Sequence, residues 1–146
     1  MERFITLENL IRLAEELAAN HRVLAPVVTG GIMTFRRFQP GMIIDLSRMA
    51  AVSPKAATFP QTETLLTVRR EHEDQKPELR EVLPQGQNVV IGCRPCGARG
   101  KLVFDPVYET DKIKDPYYLQ RRNNTVFLTL TCDRITPPMK KAYCTG

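Results

Sequence analysis

With 146 residues, 42% of them hydrophobic and 25% charged, the chain has the size and composition of one globular domain spanning residues 1–146. It resembles neither a disordered nor a fibrous protein. The net charge of +5 comes from scattered basic pairs (Arg36-Arg37, Arg69-Arg70, Arg121-Arg122, Lys140-Lys141) with acidic residues between them. No helix carries a continuous basic stripe and there is no Trp, which argues against a nucleic-acid partner and fits a solvated or protein-docking surface.

The start Met1-Glu2-Arg3 opens no basic-then-apolar leader, so no signal peptide is expected. Apolar stretches such as residues 23–28 are far too short to cross a bilayer. The expectation is a cytoplasmic protein without membrane insertion.

In residues 6–20, apolar side chains recur at 7, 10, 13, 14 and 17, the period of an amphipathic helix, and Thr6 with Asn9 gives a partial capping signature. Residues 22–28 read as a strand, Gly30-Gly31 as a turn, and residues near 32–38 as the returning strand of a β-hairpin. A further short strand is expected at residues 42–45. Residues 61–67, entered from Phe59-Pro60, suggest a short helix. The stretch 69–87, rich in charge, Pro and Gln, reads as an exposed loop or insertion.

Val89-Val90-Ile91 is wholly apolar, as in a strand buried on both faces, and it runs into Gly92-Cys93-Arg94-Pro95-Cys96-Gly97, after which a helix is expected. Residues 115–122 give a second helical piece, leading into a strand at 125–130 that ends at Cys132. Residues 132–146, with Pro137-Pro138, read as an irregular cysteine-bearing tail. The class is therefore α/β (mixed α+β), a mixed sheet with flanking helices and a cysteine site at strand C-terminal ends. In open α/β sheets, that edge is where ligand sites form.

The four cysteines are Cys93, Cys96, Cys132 and Cys144. In a chain with no export signal, clustered cysteines point to metal binding or redox chemistry rather than disulfides. Two residues between Cys93 and Cys96 let both sulfurs face one metal centre. A thioredoxin-type dithiol would leave Cys132 and Cys144 unexplained. A zinc ribbon has two tight pairs, and here the second is wide. His21 and His72 form no Cys/His finger pattern. Buried inert cysteines are the remaining alternative, and spacing alone leaves iron–sulfur and zinc nearly even. No Ser/His/Asp set, P-loop or dinucleotide fingerprint is present.

Four ordered segments carry a resemblance. Ser53-Pro54-Lys55 precedes Phe59-Pro60-Gln61-Thr62-Glu63; then come Ile91-Gly92-Cys93-Arg94-Pro95-Cys96-Gly97-Ala98-Arg99, Asp115-Pro116-Tyr117-Tyr118 with Arg121-Arg122, and Thr131-Cys132 with Tyr143-Cys144-Thr145. Over nearly its whole length the chain resembles the N-terminal region of a family of iron–sulfur proteins. That family comprises the β-subunits of sulfhydrogenases (soluble nickel–iron hydrogenases) and the A-type subunits of anaerobic sulfite reductases. Cys93 stands where that family usually has Val, Gly97 where it has Asp, and Ala142 where it has a Cys. One ligand is lost and another gained, leaving four. Family members continue into a ferredoxin-like part with two further clusters, so the expectation is a short subunit or an N-terminal portion.

The resemblance implies one [4Fe–4S] cluster on Cys93, Cys96, Cys132 and Cys144. It also implies a non-catalytic electron-relay role beside other redox subunits in a hydrogenase, sulfite reductase or heterodisulfide-reductase-like complex. The rival is a docking scaffold whose four cysteines hold zinc. Around such a site, Arg94 is placed to tune the sulfurs, Pro95 to stiffen the loop, and Gly92 and Gly97 to let backbone N–H groups approach sulfur. Lys55, Gln61 and Glu63 form a polar set that reads foremost as part of a capped short helix. Tyr117 and Tyr118 read as core and hydrogen-bonding residues rather than electron relays.

Overall fold

The computed structural model describes residues 4–70, 72 and 76–131, which combine helices with a mixed sheet. Helix α1 (Leu7–Ala18) starts where Thr6 Oγ1 accepts the Asn9 N–H at 3.3 Å, as the partial capping signature anticipates. Its apolar stripe, with Ala14 at the centre and Leu10, Ile11 and Leu17 around it, lies on the sheet. Strands β1 (Arg22–Thr29) and β2 (Ile32–Arg37) form the expected hairpin. Gly30 and Gly31 take φ of 59° and 77°, the positive values a tight two-residue hairpin turn demands.

Strands β3 (Leu66–Arg69) and β4 (Glu78–Glu81) pair as a separate antiparallel ribbon. Strand β5 (Asn88–Cys93) runs parallel to β1 and to β6 (Thr125–Thr129), giving a four-stranded sheet in the order β2-β1-β5-β6. Helices α2 (Pro95–Tyr108) and α3 (Pro116–Asn123) form the crossover from β5 to β6. Among the described residues, no helix is long and apolar enough to cross a membrane.

Alternation along the strands divides the core in two. Val23, Ala25, Val27, Val89 and Ile91 face α1, with Phe38 and Ile44 filling in. Leu24, Val90 and Cys93 face the other way, under a 3-10 turn (Pro54–Ala57) and the start of α2, with Ala57, Ala98 and Phe127.

Three expectations need correction. Residues 61–67 are not a helix: 61–65 are irregular and Leu66 begins β3. Thr62, Thr64 and Thr67 are stiff at χ1 and favour extended backbone, and cross-strand pairing with β4 replaces any helical face. The stretch 69–87 is exposed as expected over most of its described length, but it also contains β4. At residues 42–45 only an isolated antiparallel bridge from Ile44 to Val27 forms, on the edge of β1 opposite β2.

Candidate metal centre

Cys93 reaches its place through a break in strand register. Ile91 pairs with Leu128 and Cys93 with Thr129, so Gly92 is an extra residue, a β-bulge. Residues 88 and 90 point to the α2 side, and strict alternation would send Cys93 to the α1 side. The bulge turns it to the side of Val90 instead. Gly92 adopts φ +78°, and a Cβ there would lie 2.5 Å from Leu46 Cδ2 and 3.3 Å from the Pro26 ring. Only glycine satisfies both demands.

The chain then turns into α2, with Arg94 extended at the N-cap and Pro95 in the first helical turn, where a missing N–H costs nothing. Cys93 is 1% exposed, and its thiol lies 3.3 Å from the Arg94 carbonyl oxygen, to which it donates. A Cβ on Gly97 would sit 2.8 Å from Cys93 Sγ, so Gly97 makes room for the sulfur. Its N–H donates to the Arg94 carbonyl at 2.9 Å, so it is not directed at sulfur as the sequence suggested. Cys96, in the first turn of α2, is exposed. Cys93, Arg94 and Cys96 border one small cavity of about 70 Å³. Burial pushes the Cys93 thiol up to about 11, the neighbouring Cys96 adds to the shift, and Lys101 opposes it. Without metal, the site therefore holds a protonated thiol, and metal binding must displace that proton.

Strand β6 delivers the next part of the chain to the same place. The Leu130 N–H donates to the Cys93 carbonyl at 2.8 Å, two residues before Cys132 in the sequence. Cys132 and Cys144 themselves lie outside the described residues. Among the described residues, no group of three or more His, Cys, Asp or Glu side chains is gathered tightly enough to hold a metal ion. The donors at hand are two thiols, a soft set that suits zinc or an iron–sulfur cluster and needs further thiolates to complete it.

Behind the cysteines, α2 and α3 are tied together through Asp105. Its carboxylate accepts the Tyr118 hydroxyl at 2.8 Å and both Arg122 Nε and Nη2, at 3.0 and 3.2 Å. Tyr118 also stacks on Tyr108 with ring centres 4.4 Å apart. Tyr118 is thus a buried, hydrogen-bonded residue, as the sequence suggested, and Tyr117 places its hydroxyl between the Leu65 carbonyl and Glu81. Glu63 pairs with Arg121. Lys55, on the 3-10 turn, borders a second cavity beside Cys96, whereas Gln61 lies exposed away from it.

Sequence reasoning missed Lys101. It is buried with its amine 3.0 Å from the centre of the Phe127 ring. Burial, with Arg122 nearby, pushes its pKa down to about 8. The only signal in the sequence is one Lys at the head of the apolar run Lys101-Leu102-Val103-Phe104.

No known protein family, curated protein or solved structure matches this chain.

Proposed function

We propose that this chain is an electron-relay component that carries one [4Fe–4S] cluster on Cys93, Cys96, Cys132 and Cys144 within a larger anaerobic redox complex. The observation that carries the reading is the convergence at the end of β5. The bulge at Gly92 and the turn into α2 hold Cys93 and Cys96 at one cavity, and the Leu130–Cys93 hydrogen bond leads the chain there two residues before Cys132. A single cluster of this kind accepts and passes on one electron, without storing the pair that hydride chemistry needs.

The chain's own residues supply the frame. Gly92 orients Cys93, Gly97 makes room for its sulfur, and Arg94 borders the cavity. The sequence resemblance to sulfhydrogenase β-subunits supports the same reading. Three of its segments, far apart in sequence, meet at one cavity through Ser53-Pro54-Lys55 with Phe59, Cys96-Gly97, and Tyr118. A cytoplasmic location and docking on other redox subunits belong to the same proposal.

Protein prepared without oxygen should be brown and contain about four iron and four acid-labile sulfide per chain. Stoichiometric zinc without sulfide, in a colourless preparation never exposed to air, would replace the relay by the zinc scaffold. Changing Cys96 to Ser should abolish electron passage through the assembled complex while leaving the partner's dye-linked half-reaction intact.

A further inference from the structure

Helix α2 is apolar nearly all the way round. Of its 14 residues only Arg99, Lys101 and Asp105 carry charge, and the last two turn inward, Lys101 to the Phe127 ring and Asp105 to Tyr118 and Arg122. A helix of that composition is normally buried, yet Leu102, Val103 and Val107 are 59%, 73% and 64% exposed. Val103 and Val107 share one helical stripe with Gly100 and Cys96, spaced i, i+4, i+7 and i+11 from the cysteine. That stripe is about 16 Å long, and it begins at the exposed Cys96 thiol.

Around the Cys96 end, the charge is of one sign. Two cavities border Cys96. Lys55 lines one, Arg48 and Arg94 line the other, and no Asp or Glu among the described residues lines either. Arg48 meets Asp45 only at 3.9 Å and keeps its side chain 55% exposed. Arg99 stands one turn along α2, also exposed. The cations are scattered in sequence from 48 to 99, and the fold gathers them. Met49 and Phe59, each about half exposed, border the same cavities and extend the apolar surface. An apolar centre with a charged rim is the anatomy of a docking surface, and a cationic rim selects an acidic partner.

Resting on the relay reading, we propose that the outer face of α2 docks the cluster's redox partner, a protein whose own redox centre lies beneath an apolar patch rimmed with Asp and Glu. One electron leaves the partner's reduced centre and enters the oxidised cluster, or passes in the opposite sense. Electron transfer weakens steeply with distance, and a partner seated on Val103 and Val107 abuts the exposed end of the site.

The probe is a plant-type ferredoxin, which is small, acidic and paramagnetic, with the basic protein cytochrome c as the control of opposite charge. Calorimetry measures binding to the full chain with and without its cluster, and methyl spectra of the metal-free chain locate it. Ferredoxin should broaden the Val103, Val107 and Met49 methyls, whereas cytochrome c should not bind. Raising salt from about 0.05 to about 0.2 M should weaken ferredoxin binding about tenfold. Arg99→Glu and Val103→Asp should each weaken it about tenfold, both being exposed positions where circular dichroism should show an intact fold. Val126→Asp, at a position 58% exposed in β6 and paired with Val89 of the α1 face, should leave binding unchanged.

Broadening confined to other parts of the molecule, equal binding of cytochrome c, no ferredoxin binding at millimolar concentration, or undiminished binding by Val103→Asp would each overturn the proposal. So would a dimer, seen by sedimentation, that Val103→Asp dissolves, since the face would then belong to a second copy of this chain. The relay reading fails separately. Ferredoxin seated on α2 of a chain that loads no [4Fe–4S] cluster would remove the relay and keep the surface. Electron exchange with a loaded chain that Val103→Asp does not slow would keep the relay and remove the surface.

Discussion

Under α1, the core cluster of the sheet is wholly apolar, from Ala14 through Val23, Val27 and Ile91. Under the 3-10 turn and α2, the opposite face buries Asn88, Thr125, Lys101 and Cys93. Asn88 Nδ2 donates to the Ala57 carbonyl and to Thr125 Oγ1, both at 3.2 Å, and Thr125 Oγ1 donates to the Arg121 carbonyl at 2.6 Å. Those polar groups are satisfied. Lys101 instead rests its amine on the Phe127 ring, and Cys93 is a titratable thiol held away from water. The α1 face follows the rules that maximise stability, while the α2 face departs from them beside the candidate centre. Departures of this kind are where function is expected to reside.

The sharpest way to separate the two faces is to damage each by one residue. Ile91→Ala, on the α1 face, should cost about 3 kcal/mol through lost burial and a residual cavity. Its metal content per folded chain should not change; urea denaturation and metal analysis read both quantities. Gly92→Ala, one position later, should cost about 2 kcal/mol because the left-handed backbone is unfavourable for Ala and its Cβ meets Leu46. Here metal content should fall along with stability, because the bulge sets the direction of Cys93. Loss of metal in Ile91→Ala, or its full retention in Gly92→Ala, would dissolve the distinction.

Tyr118→Phe keeps the stacked ring but removes the hydroxyl from Asp105, leaving the Arg122 pair in place. A loss of about 1 kcal/mol is expected in chemical denaturation.

The smallest effect is also the most telling, because its sign is reversed. In the metal-free protein, the Lys101 pKa falls in the folded state to about 8, from an ordinary 10.5. Between these values the unfolded chain binds more protons, so stability should rise with pH through this window. Cys93 acts in the opposite direction from its ordinary 9 up to about 11, which leaves pH 8 to 9 as the clear interval. Lys101→Met should abolish the rise and match or exceed the parent's stability at neutral pH. Denaturation midpoints measured at intervals from pH 7 to 9 decide it, and a flat parent profile would refute the buried-cation account.

Much of this architecture is legible in local sequence. The 3.6-residue period marks α1, Gly30-Gly31 marks the hairpin, and Val89-Val90-Ile91 marks the central strand. The pairing of β3 with β4 is not legible there. It depends on residues across an insertion, and Phe59-Pro60 looks locally like a helix start. At the site, the C-x-x-C spacing identifies Cys93 and Cys96, whereas the bulge that orients Cys93 is a register relation between two strands. Lys101 is hidden for a related reason. A single lysine in an apolar helix reads as solvated, and its burial follows only from the placement of α2 against Phe127.

The hydrogen-bonded ladder around β5 also sets an order of events in time. The β1–β2 hairpin joins neighbours in sequence, but Arg22 meets Asn88 and Asn88 meets Thr125 only after long stretches of chain have been brought back. Such distant parallel pairings are intrinsically slow to form, because chain closure must come before any stabilising contact. The strand that shelters Cys93 is therefore expected to be among the last to dock. During synthesis or refolding, this thiol stays open to oxidants and to competing metals longer than its seclusion in the finished fold suggests, so yield should depend on the redox conditions of folding more than on those of storage.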